Sequence, residues 1–152
     1  YASAVGEVNV VEMMKEKNAV IGGEGNGGVI FPELHYGRDA LVGIALFLTY
    51  LAKKKLKMSD LKSSFPQYTI SKNKLALNNT TNIDLLLKKI SNKYKTVKQN
   101  KIDGLKLEFE NEWVHMRKSN TEPIIRIYAE SQNQKSAHDL GVRFVEELKS
   151  LI

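Results

Sequence analysis

Three runs of alternating apolar residues follow one another late in the chain, Leu105 to Phe109, Trp113 to Met116 and Ile124 to Ala129, and they constrain the fold most. Alternation with a period of two places every second side chain on one face, so each run reads as a half-buried strand. The short connections between them favour antiparallel pairing. Asp103-Gly104, just ahead of the first run, is a turn signal. An extended run from Gln67 to Leu77 adds a strand. The spacing of Ile83, Leu86, Leu87 and Ile90 predicts one helix, and Ser136 to Leu151 reads as another. Residues 66–152 are therefore expected to form an α+β domain with a mainly antiparallel four-stranded sheet and two helices. Trp113 and Tyr128, in alternating patterns, read as core-filling residues.

The link between the second and third runs has an unusual composition, Arg117-Lys-Ser-Asn-Thr-Glu-Pro-Ile-Ile-Arg126. Guanidiniums at Arg117 and Arg126 supply charge-assisted, potentially bidentate hydrogen bonds, and Ser119, Thr121 and the loop amides, including that of Asn120, supply neutral donors. Gathered in one loop, these groups suit a phosphate. Asn120 also tolerates left-handed backbone angles better than most residues.

A second loop, Gly22-Gly-Glu-Gly-Asn-Gly-Gly28, sets one carboxylate and one carboxamide on a backbone otherwise free of side chains. Glycines permit sharp turns and close ligand approach. Glu24 accepts hydrogen bonds from adjacent hydroxyls and Asn26 both donates and accepts, which suits a sugar ring. Around this loop the sequence predicts a helix over Val5 to Lys17 and short strands at Ala19 to Ile21 and Val29 to Phe31. A second helix is expected from Asp39 to Lys55, and a shorter one capped by Ser59 before Phe65-Pro66. His35 is a candidate for proton transfer, against the plainer reading of a loop histidine with a local partner.

Composition narrows the classes. The chain has 23 basic and 17 acidic residues, a net charge of +6, and this excess can serve small anionic substrates, nucleic acid or anionic membranes. No aromatic RNA-binding signature, recognition-helix pattern or Cys/His metal spacing accompanies it, so nucleic acid is not the expected partner. The longest apolar stretch, Ala40 to Ala52, contains Gly43, Thr49 and Tyr50 and is too short to cross a bilayer, so no membrane association is expected. Cysteine is absent and no export pattern is seen, which points to a cytoplasmic setting.

The two loops together resemble the alpha-D-phosphohexomutase family, the phosphomannomutases, phosphoglucomutases and phosphoglucosamine mutases. Gly23-Glu24-Gly25-Asn26-Gly27 matches its sugar-recognition loop, and Arg117-x-Ser119-x-Thr121-Glu122-Pro123 matches its phosphate loop. The resemblance implies that residues 1–65 are the C-terminal portion of an α/β/α third domain and 66–152 the fourth domain. It implies Glu24 and Asn26 as sugar-binding residues, and Arg117, Ser119, Asn120, Thr121 and Arg126 as phosphate-binding residues. The implied reaction interconverts hexose 1-phosphate and 6-phosphate through a phosphoserine and a bisphosphate, with Mg2+ and a glucose 1,6-bisphosphate-type activator. The family's catalytic-serine and metal-loop motifs do not occur in this sequence. The chain is accordingly expected to be a substrate-recognition half, inactive without the N-terminal domains of a parent chain. Gly28 stands where the family often has a histidine, which leaves the general base unassigned. Two other readings stand beside this one: a self-standing, non-catalytic sugar-phosphate-binding module, and a basic nucleic-acid-binding domain.

Overall fold

The computed structural model describes residues 1–78, 81–119 and 121–152, and the chain divides into two compact units, Tyr1–Pro66 and Gln67–Ile152.

The first unit comprises α1 (Glu7–Lys17), β1 (Gly22–Gly23), β2 (Val29–Phe31), β3 (His35–Arg38), α2 (Ala40–Lys54) and α3 (Met58–Ser64). The three short strands form an antiparallel sheet in the order β1-β2-β3, with α1 against β1 and β3 and α2 against β2. α2 is the strongly apolar helix expected from the sequence. Asp39 caps it by accepting from the Val42 amide at 3.0 Å, and Lys53 and Lys54 lie in its last turn, where cations suit the helix dipole.

Several local expectations are corrected. Ala19 to Ile21 is not a strand. The Ala19 amide instead donates to Met14 O at 2.9 Å as Asn18, in the left-handed region, ends α1, so these residues serve as the helix exit and pairing starts only at Gly22. Residues 35–38 form a strand although their sequence does not alternate, and His35 therefore lies in β3 rather than in a loop. Ser59 lies inside α3, with its hydroxyl on Asp60, and Lys57 is the residue at the cap position.

The second unit contains β4 (Thr69–Ala76), α4 (Ile83–Lys93), β5 (Lys98–Asn100), β6 (Leu105–Glu108), β7 (Trp113–Lys118), β8 (Ile124–Ser131) and α5 (Gln134–Lys149). The sheet is antiparallel throughout, in the order β4-β8-β7-β6-β5, with five strands rather than the expected four. The additional strand is Lys98-Gln99-Asn100, a polar edge with no hydrophobic alternation to reveal it. Asp103-Gly104 turns the chain from this strand into β6.

One face of the sheet carries the core. Leu75, Leu105, Leu107, Val114, Met116, Ile125, Ile127 and Ala129 pack with Leu86 and Ile90 of α4 and with Leu140, Phe144 and Leu148 of α5. Asn82 and Asn133 cap the two helices, accepting from the amides of Leu85 and Ser136. Gly141 lets α5 press against β4, because a Cβ there would fall 2.3 Å from Asn73 Nδ2. Trp113 and Tyr128 are not in this core. Their buried neighbours Val114 and Ala129 occupy it, so strand alternation turns both rings to the opposite face, where Trp113 Nε1 donates to Glu130 at 2.8 Å.

Candidate functional site

The second unit positions its loop through a tight hairpin. β7 runs to Lys118 and β8 begins at Ile124, so Arg117 and Arg126 stand on strands and only residues 119–123 form the connection. The Ser119 amide donates to Ile124 O at 3.0 Å, closing the neck of the hairpin. The Ile124 amide donates to Glu122 O at 2.8 Å, reversing the chain around Pro123, whose carbonyl accepts from the Leu77 amide at 3.0 Å just beyond β4. Backbone hydrogen bonds therefore hold the loop from two directions.

Inside the hairpin the side chains converge on one oxygen. Ser119 is buried, and its Oγ lies 3.4 Å from each of Thr121 Oγ1, the Thr121 amide nitrogen and Arg126 Nη2. Those separations are long for such hydrogen bonds. The donors are gathered without saturating one another, and they retain capacity for an acceptor with several oxygens. Arg117 and Arg126 are direct cross-strand partners, so both guanidiniums leave the same face. Each has a distant carboxylate: Glu122 is 3.4 Å from Arg126, and Asp103 is 4.0 Å from Arg117. Gly104 fixes the backbone beside Arg117. Its φ is +73°, and a Cβ would meet Met116 O at 2.3 Å and Arg117 Cα at 2.9 Å. Asn120, the remaining predicted phosphate residue, lies outside the described residues.

The glycine loop of the first unit is also a hairpin, between β1 and β2. Glu24 donates its amide to Gly28 O at 3.1 Å and accepts at its carbonyl from the Gly27 amide at 3.0 Å, with Gly27 at a φ of +94°. Much of the glycine density has an internal cause. A Cβ would strike Met14 Sδ at residue 22, Gly28 O at residue 23 and Arg38 Cδ at residue 28, whereas residue 25 faces open space. Close approach of a ligand is thus not needed to explain three of the five glycines.

The side chains of this loop diverge. Glu24 lines a cleft with Tyr1, Met14 and Gly25, and Asn26 lines another with Glu7, Arg38 and Asp39. Asn26 Oδ1 accepts from the Gly28 amide at 3.0 Å, which turns its NH2 group outward. Arg38 links the two sides. Its Nη1 is 3.7 Å from Glu24, its Nε donates to Glu7 Oε2 at 2.8 Å, and its backbone amide donates to Glu7 Oε1 at 3.1 Å. The backbone bond from Arg38, with its guanidinium, holds the Glu7 carboxyl below the usual carboxylate range. This Glu7–Arg38 pair escaped sequence reasoning, since 31 residues separate its members and neither belongs to a motif.

His35 lines neither cleft. Its Nε2 lies 3.1 Å from Asp39 Oδ2, and the Asp39 carboxyl is held low first by the Val42 amide and then by His35. His115 has its Nε2 against the Asp103 carbonyl. Among the described residues no three His, Asp or Glu side chains could hold a metal ion, so these residues do not fit the Mg2+ that the resemblance implies. Nor, among them, is any helix long and apolar enough to cross a membrane.

Comparison with known proteins gives the same two parts. The model of phosphoglucomutase/phosphomannomutase alpha/beta/alpha domain III matches residues 1–68, and that of the phosphoglucomutase/phosphomannomutase C-terminal domain matches residues 76–147. A phosphoglucosamine/phosphogalactosamine mutase of Sulfurisphaera tokodaii is 37% identical over 97% of this chain and 32% of its own length. A phosphoglucomutase/phosphomannomutase of Thermococcus kodakarensis is 37% identical over 94% of the chain and 32% of its own length. The crystal structure of a phosphoglucomutase/phosphomannomutase family protein from Burkholderia thailandensis superposes with a TM-score of 0.76 at 26% identity, covering 96% of this chain and 31% of that one. The chain spans about a third of the length of these relatives. With both domain models matched in order and the same relatives found by sequence and by structure, the chain belongs to the alpha-D-phosphohexomutase family, of which it is a C-terminal part.

Proposed function

We propose that this chain is the substrate-recognition part of a phosphohexomutase, with residues 1–65 contributing to its third domain and 66–152 forming its fourth. The whole enzyme would interconvert hexose 1-phosphate and 6-phosphate through a phosphoserine and a bisphosphorylated sugar. In this reading Arg117, Ser119, Asn120, Thr121 and Arg126 hold the phosphate that is not being transferred. Glu24 and Asn26 hold ring hydroxyls, and Arg38 orients Glu24. The single observation that carries the reading is the gathering of Arg126, Thr121 and the Thr121 amide around buried Ser119, with Arg117 directly across the ladder. The names of the matched relatives support a hexose phosphate as the substrate class.

The contribution of such residues to phosphoryl transfer is positioning and charge compensation. A phosphate held by fixed donors places the far end of the sugar where the reacting groups are. Both ends of the sugar must take turns at the phosphoserine, so the holding site must accept either phosphate, and a loop that reads phosphate oxygens alone meets that requirement. The Mg2+ and the sugar-bisphosphate activator that the family resemblance implies would supply charge stabilisation at the transferring phosphoryl group and priming of the phosphoserine. Both belong to parts of the enzyme outside these residues, in a cytoplasmic setting.

The test is calorimetric titration of glucose 6-phosphate into this chain and into Arg117→Ala. The substitution is expected to weaken binding about tenfold or more, the scale of a charge-assisted hydrogen bond. Equal affinities for the two proteins would overturn the assignment. Binding that instead falls steeply with salt for any polyanion, and survives Arg117→Ala, would mark a nucleic-acid-binding surface.

A further inference from the structure

We infer that Lys74 is a third cation of the phosphate site, completing a row of three positive charges that selects a doubly ionised phosphomonoester. The inference rests on the phosphate-site reading above and assigns it a residue from a strand outside the loop.

The observation is one of register. Lys74 of β4 is the direct partner of Arg126 on β8, and Arg126 is the direct partner of Arg117 on β7. Directly opposed side chains in an antiparallel ladder share a face, with Cβ atoms about 5 Å apart. Leu75 and Ile125, the adjacent pair, are buried on the helix-covered side, so Lys74, Arg126 and Arg117 all stand on the open side. Three like charges in line across adjacent strands are mutually destabilising unless an anion sits among them.

The rest of the open face avoids this arrangement. Lys72 lies over the Tyr128 ring, Lys106 lies over Trp113 and within 3.3 Å of Glu108, and Lys98 also pairs with Glu108. Arg117 and Arg126 each have a distant carboxylate. Lys74 alone among these cations makes no ion pair, side-chain hydrogen bond or ring contact among the described residues. The plainer account is a lysine guarding an edge strand against pairing with other chains. That account serves Lys72 as well, and it gives no reason for placing Lys74 opposite an arginine that itself faces an arginine.

The chemistry follows from charge. Asp103 and Glu122 offset two of the three cations, and an incoming phosphomonoester brings close to two negative charges above its second pKa of about 6. A phosphodiester, with one negative charge, compensates the row less. Lys74 presents three rotatable N–H donors on a flexible stem, which suits a phosphate approached from either sugar orientation.

The experiment titrates glucose 6-phosphate into the 152-residue chain and its Lys74→Met, Lys74→Arg, Lys72→Met and Arg117→Ala variants at two salt concentrations, with thermal unfolding of each. Lys74→Met is expected to weaken binding about tenfold, to flatten its salt dependence and to leave the ligand-free unfolding temperature unchanged or higher, since a repulsion is removed. Lys74→Arg should restore affinity, and Lys72→Met should stay within twofold. If Lys74→Met binds within twofold of the parent while Arg117→Ala does not bind, the inference fails and the site reading stands. If the parent binds no better than Arg117→Ala, both fail.

Discussion

The two units differ in how completely they use their apolar residues. The second closes a continuous core in which Leu107, Val114, Ile125, Ile127, Phe144 and Leu148 are fully buried. Within this chain the first, read above as a portion of a larger third domain, buries only Met14, Ile30 and Leu61, and α2, its most apolar element, has no buried residue and exposes Leu41 at 78% and Ile44 at 54%. Burial, and not apolar content, is what stabilises a unit, at about 25 cal/mol for each Å² removed from water. The β7–β8 hairpin therefore rests on a rigid support. The glycine loop depends more on local clamps such as Glu7–Arg38.

The largest expected contrast comes from truncation. Phe144 packs its ring against Tyr94 and Phe109 in the core, and Phe144→Ala should cost about 3–5 kcal/mol. Leu48→Ala on α2 should cost about 0.5 kcal/mol or less, as an exposed site does. Urea unfolding followed through Trp113 fluorescence reads the first, and hydrogen exchange of the α2 amides reads the second. Similar costs at the two sites would erase the asymmetry.

The next contrast is between glycines. Gly104→Ala forces an L side chain into a positive φ and onto the β7 backbone, and should destabilise the second unit by about 2–4 kcal/mol. Gly25→Ala adds a methyl to open space and should change stability by about 0.5 kcal/mol or less. A costly Gly25→Ala would show that the glycine loop is held more tightly than its contacts indicate.

The smallest effect is electrostatic. Burial of Glu147 opposes its charge, but hydrogen bonds from Tyr94, Lys93 and Arg143 outweigh that and hold its carboxyl below the usual range. A carboxyl depressed in the folded state contributes stability that is present above its unfolded pKa, about 4.3, and is lost as pH falls through the lower folded value. Tyr94→Phe removes one of these donors. It should lower neutral-pH stability of the second unit by about 1 kcal/mol and shrink the loss seen between neutral and acid pH. An unchanged acid limb would show that the phenol does not support the carboxylate.

What the sequence made legible follows the same division. β7, β8, α4 and α5 could be read because their apolar residues repeat with the period of the element and meet a core with that period. α2 could be read from its helical spacing, Asp39 and terminal lysines. β3 and β5 could not, because His-Tyr-Gly-Arg and Lys-Gln-Asn have no apolar alternation to mark them as strands. The glycines at 22, 23 and 28 were legible as a loop, but their reasons, Met14, a facing carbonyl and Arg38, come from residues distant in sequence or from strand pairing. The composition of the Arg117 to Arg126 segment was plain. Its register, which puts Arg126 directly between Arg117 on one side and Lys74 on the other, appears only when the strands are laid side by side.

The short β7–β8 hairpin also bears on the order of folding. Arg117, Ser119, Thr121 and Arg126 all lie within its two strands and turn, so closing one small loop, an event of about 1–10 μs, brings them together. β4 reaches the same ladder only after a crossover that includes α4 and three other strands, a contact of high sequence separation that pays more loop-closure entropy and forms later. The hairpin would thus gather its two arginines before β4 brings Lys74 to the ladder, and an anion that binds them could act on the folding of this unit as well as on its finished form.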